Sequence, residues 1–117
     1  MYEATYRVML EDTTEQIREN ERRAFDKAID LLKSAQAAGR GTRESVEALL
    51  FVNRLWIVLL EDLADKGNGL PDSLKAELIS IGIWMLRRTE EIRQGGAEDF
   101  SALIEISETI RKGLGSH

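Results

Sequence analysis

The chain has 117 residues, of which 43 % are hydrophobic and 32 % are charged, and its formal net charge is −5. This length favours a single domain, and this composition is that of a soluble globular protein and excludes a disordered chain. No segment is strongly basic, which argues against a large phosphate-binding face. The absence of cysteine excludes disulfides, thiol catalysis and zinc–thiolate sites.

The first predicted helix covers residues 13–38. Thr13 and Gln16 have the spacing of a capping box, and apolar residues then recur at helical intervals. Gly39 follows as a residue that can adopt the left-handed conformation at a helix end.

Residues 1–12 precede this pattern and are predicted to form either a short helix or an arm laid across the rest of the fold. Tyr2 and Tyr6 lie within them. The two tyrosines are interpreted either as part of a frayed terminus or as an aromatic anchor for a partner, and both interpretations stay open.

The second predicted helix covers residues 42–66, with Thr42 at its N-cap. Apolar residues occupy nearly its whole circumference, which predicts the central and most buried helix of the fold. Lys66 and Gly67 are expected to end it.

The third predicted helix covers residues 71–94, with Pro71 in its first turn, where a missing N–H costs nothing, and two glycines after its end. A fourth helix is predicted over residues 98–112, and Gly113 with Leu114 is expected to form a Schellman motif.

Four helices with short connections and no strand pattern predict an all-α fold, a helical bundle that forms one domain over residues 1–117 with a tail at 113–117. The start lacks the basic and apolar regions of a secretory signal, and the longest apolar run, residues 55–60, is too short to span a bilayer. We therefore expect a cytoplasmic protein without a membrane segment. The terminal Gly-Ser-His resembles the remnant of an expression tag, and we assign it no function.

Catalytic and metal-binding patterns are missing from the sequence. The one histidine is the last residue, and the paired acids Glu61-Asp62 and Glu90-Glu91 point in different directions on a helix. We expect no enzyme activity, no catalytic residue, no metal site and no cofactor.

Asn53 is the polar residue that stands out, because it lies among apolar residues on the second helix. Its amide is predicted to pair with a backbone group, at the turn over residues 67–71, and the alternative is a bond to the backbone of a partner. Arg54 is expected to reach past the apolar face to a carboxylate.

Trp56 is interpreted as a core residue rather than a contact residue. Trp84 is assigned to neither role, because Arg87 and Arg88 follow it and indicate that it lies near the surface. Gly82 is costly inside a helix, and we expect a large neighbour, Trp56, to approach it closely.

The span VEALLFVNRLWIVLLEDLADKGNGLP, residues 46–71, and its continuation DSLKAELISIGIWMLRRTEEI resemble the FlaF family of alphaproteobacterial flagellar proteins. The Met-Tyr-x-x-x-Tyr opening, the segment ENERRAFDKA and the ending LIEISETIRKGL resemble the same family. Its most specific motifs here are Asn53-Arg54-x-Trp56 and Asn68-x-Leu70-Pro71. Ser107 departs from the family pattern, which often has asparagine at this position.

The resemblance implies a small, helical, non-enzymatic protein of the cytoplasm that binds flagellin and promotes its synthesis and export, as a flagellin secretion chaperone. The alternative is a post-transcriptional regulator of flagellin expression that acts with the FlbT protein or on flagellin mRNA. Direct RNA contact is disfavoured by the charge balance, since Arg22-Arg23 and Arg87-Arg88 are the only candidate basic pairs and acids lie near both. A homo-oligomeric structural bundle is a third hypothesis.

These hypotheses select two sets of residues. The predicted partner-binding residues are Tyr2, Tyr6, Asn53, Arg54, Trp56, Trp84, Arg87 and Arg88, and the predicted structural motif comprises Asn68, Leu70, Pro71 and Gly82.

Overall fold

The computed structural model describes the backbone of residues 2–96 and 99–114, and the side chains of residues 19–96 and 99–114. Over these ranges the chain forms helices and no strand: α1 (Tyr2–Ala38), α2 (Arg43–Ala64), α3 (Asp72–Arg93) and α4 (Ser101–Gly113). The predicted all-α bundle of four main helices is confirmed. In the described part of the chain, no helix is long and apolar enough to cross a membrane.

The first helix begins well before its predicted start. α1 runs without a break from Tyr2 to Ala38, so Thr13 lies inside it rather than at an N-cap, and residues 2–12 belong to α1 instead of forming an arm. These residues include no glycine or proline that would end a helix, so the capping-box pattern did not mark a boundary. The side chains of Tyr2 and Tyr6 lie outside the described residues.

α1 and α2 form an inner pair, with α4 beside α1 and α3 beside α2. α1 packs against α2 and α4, and α2 packs against α1 and α3. All four contribute to one hydrophobic core, in which Leu32, Val52, Met85 and Leu103 are each fully buried. α2 is therefore central, as predicted, but it shares that position with α1.

Trp56 lies at the junction of three helices. Its ring is 1 % exposed and meets Phe25 of α1 edge to face, with 6.1 Å between the ring centroids. A Cβ at Gly82 would stand 2.9 Å from Trp56 Cε3 and 2.8 Å from Leu60 Cδ2, which is closer than carbon atoms approach in proteins. Only glycine fits there without a shift, so the predicted close approach of Trp56 to Gly82 is confirmed.

The turn between α1 and α2 follows the predicted chemistry. Gly39 has a φ of 97°, and its N–H donates to the Ala35 carbonyl at 2.8 Å. The Thr42 hydroxyl accepts from the Ser45 N–H at 3.2 Å and donates to the Gly39 carbonyl at 2.7 Å. Thr42 is therefore the N-cap of α2, as predicted.

The C-terminal ends of α2 and α4 differ from the prediction, and α4 begins at Ser101 rather than at residue 98. α2 ends at Ala64 rather than 66, because the carboxylate of Asp65 accepts from the Gly67 N–H at 2.9 Å and replaces the next helical turn. Gly113 is the last residue of α4 and has no positive φ, so the predicted Schellman motif there is wrong.

A Schellman motif ends α3 instead. Gly95, with a φ of 88°, donates to the Ile92 carbonyl at 3.1 Å, and the Gly96 N–H donates to the Glu91 carbonyl at 2.8 Å. The glycine pair was predicted to close this helix, and it does.

Polar contacts with α1 hold both ends of α4. At the start, the Gln36 amide accepts from the Phe100 N–H at 2.9 Å and donates to Asp99 at 3.3 Å. At the end, Arg22, which is 7 % exposed, donates to the Leu114 carbonyl at 3.0 Å and to the Glu19 carboxylate at 2.7 Å. Since cations are favourable at a helix C-terminus, Arg22 stabilises the end of α4 on α1.

We expect Trp56→Ala to lower the free energy of unfolding by about 3–5 kcal/mol, because it removes the largest buried side chain and leaves a cavity. Urea unfolding followed by far-ultraviolet circular dichroism measures this loss. Trp84→Ala is the matched control and should cost less, since Trp84 is 40 % exposed. Equal losses for the two variants would contradict the assignment of Trp56 to the core.

Gly82→Ala should destabilise the protein by about 1 kcal/mol. Alanine stabilises a helix by a similar amount relative to glycine, but overpacking against the buried Trp56 ring outweighs that gain. The control is Gly113→Ala, where a Cβ meets nothing within 4 Å, and which should leave stability unchanged or slightly raised. The same urea titration compares them, and a more stable Gly82→Ala variant would show that α2 and α3 can move apart freely.

Candidate functional site

Large apolar residues on α2 remain exposed. Val46 is 60 % exposed, Leu50 49 % and Val58 63 %, and Ile57 is exposed to a similar degree. α2 is therefore central, as predicted, but its apolar circumference is not buried on every side. Among the described residues α2 packs mainly against α1 and α3, and these two neighbours do not surround it.

The exposed residues form a stripe along one face of α2. Val46, Leu50, Asn53 and Ile57 follow one another at intervals of four, three and four residues, which places them on a single side of a helix. Leu60 packs on α3 at Gly82. Val58 lies about 160° around the helix from Leu60, so it points away from α3 and does not belong to this stripe. The stripe is thus a second apolar face beside the buried one.

This stripe borders a cavity of about 600 Å³ between α2 and α3. The turn before α2 and the turn after α3 close one end of it, with Arg40, Gly41 and Gly95 in its lining. The lining residues on the two helices are Ser45, Val46, Leu49, Leu50 and Asn53 of α2 and Thr89, Glu90, Ile92 and Arg93 of α3.

The floor of the cavity is built from buried side chains. Leu49 and Ile92 belong to the hydrophobic core, and Ser45 and Thr89 are buried beside them. The Thr89 hydroxyl donates to the Leu86 carbonyl of its own helix at 2.8 Å, so this polar group is already satisfied. The floor is therefore packed into the core and mostly apolar.

The α3 wall continues beyond the cavity. Ile83 and Leu86 precede Glu90 by seven and four residues, so they lie on the same side of α3 as Glu90. Ile83 is exposed and Leu86 is half-buried. We call the cavity together with the Val46–Leu50–Asn53–Ile57 stripe and these two α3 residues the α2–α3 groove.

Charged groups stand at the closed end of the groove. Arg40 donates to the Gly95 carbonyl at 2.8 Å, which joins the two turns. Arg93 donates to Glu90 through two of its nitrogens, at 2.9 Å for Nε. These hydrogen bonds and the positive charge of Arg93 hold the pKa of the Glu90 carboxyl below its ordinary value, so Glu90 stays ionised and paired.

Asn53 lies in the groove rather than at the turn over residues 67–71. The α3 residues that share its cavity come from the C-terminal end of that helix, whereas the turn precedes the N-terminal end, so the predicted tie between them is wrong. The Asn53 amide is half-buried and has no hydrogen-bond partner among the described residues. Arg54, next to it, is exposed, and it forms no ion pair with any described carboxylate, contrary to the expectation.

The other predicted contact residues do not line the groove. Trp56 lies beneath it in the core, and its indole Nε1 has no hydrogen-bond partner in the described part of the chain. Trp84 is exposed on another face of α3, and Arg87 is exposed one turn after Ile83 but does not line the cavity. Arg88 is half-buried and donates to Glu91 at 3.2 Å. Of the predicted partner-binding residues whose side chains are described, the cavity lining includes Asn53 alone.

The motif Asn68-x-Leu70-Pro71 builds the turn between α2 and α3. The Asn68 side chain accepts from the Leu70 N–H at 3.0 Å and donates to Asp62 at 3.4 Å, and the Asn68 carbonyl accepts from Lys75 at 2.7 Å. Pro71 is the N-cap of α3 rather than a residue of its first turn. These contacts orient α3 relative to α2.

The basic pairs are largely engaged within the protein. Arg22 is buried against Glu19 and the end of α4, and Arg23 donates to Glu19 at 3.2 Å. Arg88 is bound to Glu91. Neither pair presents two unpaired guanidinium groups for a phosphate backbone.

Sequence reasoning missed the cavity residues Arg40, Glu90 and Arg93. The spacing of Glu90 and Arg93 on a helix predicts their ion pair, but no local pattern indicates that Arg40, fifty residues earlier, lies beside them. The groove as a whole offers an apolar surface for van der Waals contact, with an amide and guanidinium groups at its edges for hydrogen bonds.

Comparison with known proteins identifies the family. A family model described as "Flagellar protein FlaF" matches residues 2–114. The comparisons with curated proteins and with solved structures give no match. Since the family match spans nearly the whole chain and agrees with the resemblance of its motifs, the chain belongs to the FlaF family of flagellar proteins.

Proposed function

We propose that this protein binds flagellin in the cytoplasm and promotes its synthesis and export, as a flagellin chaperone without enzymatic activity. The observation that carries the proposal is the uncovered apolar stripe of α2 beside a cavity in a protein of a flagellar family. The single domain over residues 1–117 acts as the binding unit.

The shape of the groove suits a helix. An amphipathic helix lays residues spaced three and four positions apart into an apolar channel between two helices, and the α2–α3 groove offers such a channel. Val46, Leu50 and Ile57 would be covered on one side, and Ile83 on the other. Exposed apolar surface of this kind is costly in an isolated protein and marks interaction sites.

Covering a flagellin helix in this way would have a direct consequence for flagellin. A helical segment that is held in the groove cannot pair with other flagellin subunits, so the bound subunit stays soluble and competent for export. The floor formed by the buried Leu49 and Ile92 supports this role, because a groove that is already formed loses little conformational entropy on binding.

We expect Leu50→Glu to weaken the binding of flagellin at least about tenfold, since it places a carboxylate in the apolar channel. Isothermal titration of purified flagellin into the purified protein measures the affinity. Circular dichroism should show an unchanged fold, because residue 50 is exposed.

Val58→Glu is the matched control for this substitution. It adds the same charge at another exposed position of the same helix, outside the stripe, and should leave binding unchanged. If both variants bind flagellin like the parent protein, the groove is not the flagellin site. If the parent protein shows no saturable binding, the chaperone proposal itself is wrong.

A further inference from the structure

We infer that the α2–α3 groove selects a helix whose apolar stripe carries neutral amide side chains, asparagine or glutamine, where it passes Ser45 and Asn53. This inference rests on the proposed function, in which the groove holds a helical segment of a partner. It adds the chemistry of that segment and its register along α2.

Ser45 contributes a buried hydroxyl to the wall of the cavity. The residue is 2 % exposed and lines the cavity near its closed end. Its N–H donates to Thr42, but its hydroxyl forms no hydrogen bond with a described residue. Since buried hydroxyls are nearly always hydrogen-bonded, this group needs a partner from within the cavity.

Asn53 presents a second neutral group about two turns further along α2. Eight residues separate it from Ser45, which corresponds to about 12 Å along a helix axis. Its amide is half-buried, lines the cavity and has no partner among the described residues. An amide both donates and accepts, so a second amide is the side chain that complements it best.

The charged groups of the cavity wall are engaged within the protein. Arg93 donates to Glu90, and Arg40 donates to the Gly95 carbonyl. A partner carboxylate would lie near Glu90 without an unpaired cation from the cavity lining, and a partner ammonium would have to compete with Arg93. Burial of either charge is therefore unfavourable, and the groups that remain for an occupant are the neutral hydroxyl and amide.

The displacement of water makes these two groups selective. Solvent that enters the open cavity of the free protein can bond to both of them. A wholly apolar helix that displaces this solvent leaves the hydroxyl and the amide buried without partners, which weakens binding. Amides at the same level of the docked helix restore the bonds, while the apolar residues between them cover the stripe of α2.

The test uses three synthetic helical peptides of about 18 residues, or five turns. All carry the same leucine stripe, interrupted at two positions seven residues apart by glutamine, methionine or glutamate. Methionine is similar to glutamine in length but forms only weak hydrogen bonds. Fluorescence anisotropy against the whole protein should show that the glutamine peptide binds about three- to tenfold more tightly than the methionine peptide, and that the glutamate peptide binds most weakly.

Asn53→Leu should lower the ratio of the glutamine-peptide affinity to the methionine-peptide affinity about tenfold, because leucine offers methionine a contact and glutamine no bond. Ser45→Ala should lower this ratio less. The matched control is Ser73→Ala, which removes an exposed hydroxyl at the start of α3 and should leave the ratio unchanged. Circular dichroism checks that each variant is folded. A ratio that Asn53→Leu leaves unchanged, or tightest binding of the glutamate peptide, would overturn the inference.

The two proposals fail in different ways. If Leu50→Glu abolishes flagellin binding but the glutamine peptide is not preferred, the chemistry inferred for the partner is wrong and the flagellin site stands. If the glutamine peptide is preferred through Asn53 but flagellin does not bind, the groove chemistry stands and the proposed function is wrong. If sedimentation shows that Leu50→Glu converts a dimer to a monomer, the occupant is a second copy of this chain, and the inference is overturned.

Discussion

The contact between the Trp56 ring and the backbone of Gly82 sets the distance between α2 and α3, and the groove depends on that distance. Trp56 also meets Phe25, so one side chain joins α1, α2 and α3. Since α3 is held close at Gly82, its C-terminal half lies over Leu49 and leaves Leu50 uncovered, although these two residues are adjacent in the chain. The position of α3 therefore explains both why one apolar face of α2 is buried and why the other is exposed.

The position of α4 explains why the groove stays open. A fourth helix could have covered the second apolar face of α2, but Gln36 binds the start of α4 and Arg22 binds its end, and both residues belong to α1. Asp99 strengthens this attachment, because hydrogen bonds from Ser101 and Gln36 hold its pKa below the ordinary value and keep it ionised. α4 therefore covers α1, and α2 keeps an apolar face for which the protein itself has no partner helix.

Family and geometry support the proposed function in different ways. Membership of the FlaF family places the protein in the flagellar system, but a family match does not indicate which surface is used. The groove supplies such a surface, since it combines a packed apolar floor with the exposed apolar stripe of α2 and a half-buried amide at Asn53. A helix-binding role connects the two, because an apolar groove between two helices is a localised rather than a diffuse binding surface.

The sequence by itself determined the helical class, the number of main helices, the Thr42 cap, the Gly39 turn and the family, because these depend on local periodicity, local hydrogen bonds and motifs. The close approach of Trp56 and Gly82 was also predictable, since a glycine inside a helix requires a bulky neighbour. Only the tertiary structure decided which apolar face of α2 is covered, where the Asn53 amide lies and that Arg40 stands beside Arg93. α2 is apolar all round, so its sequence does not distinguish a buried side from an exposed one; the positions of α1 and α3 around it make that distinction.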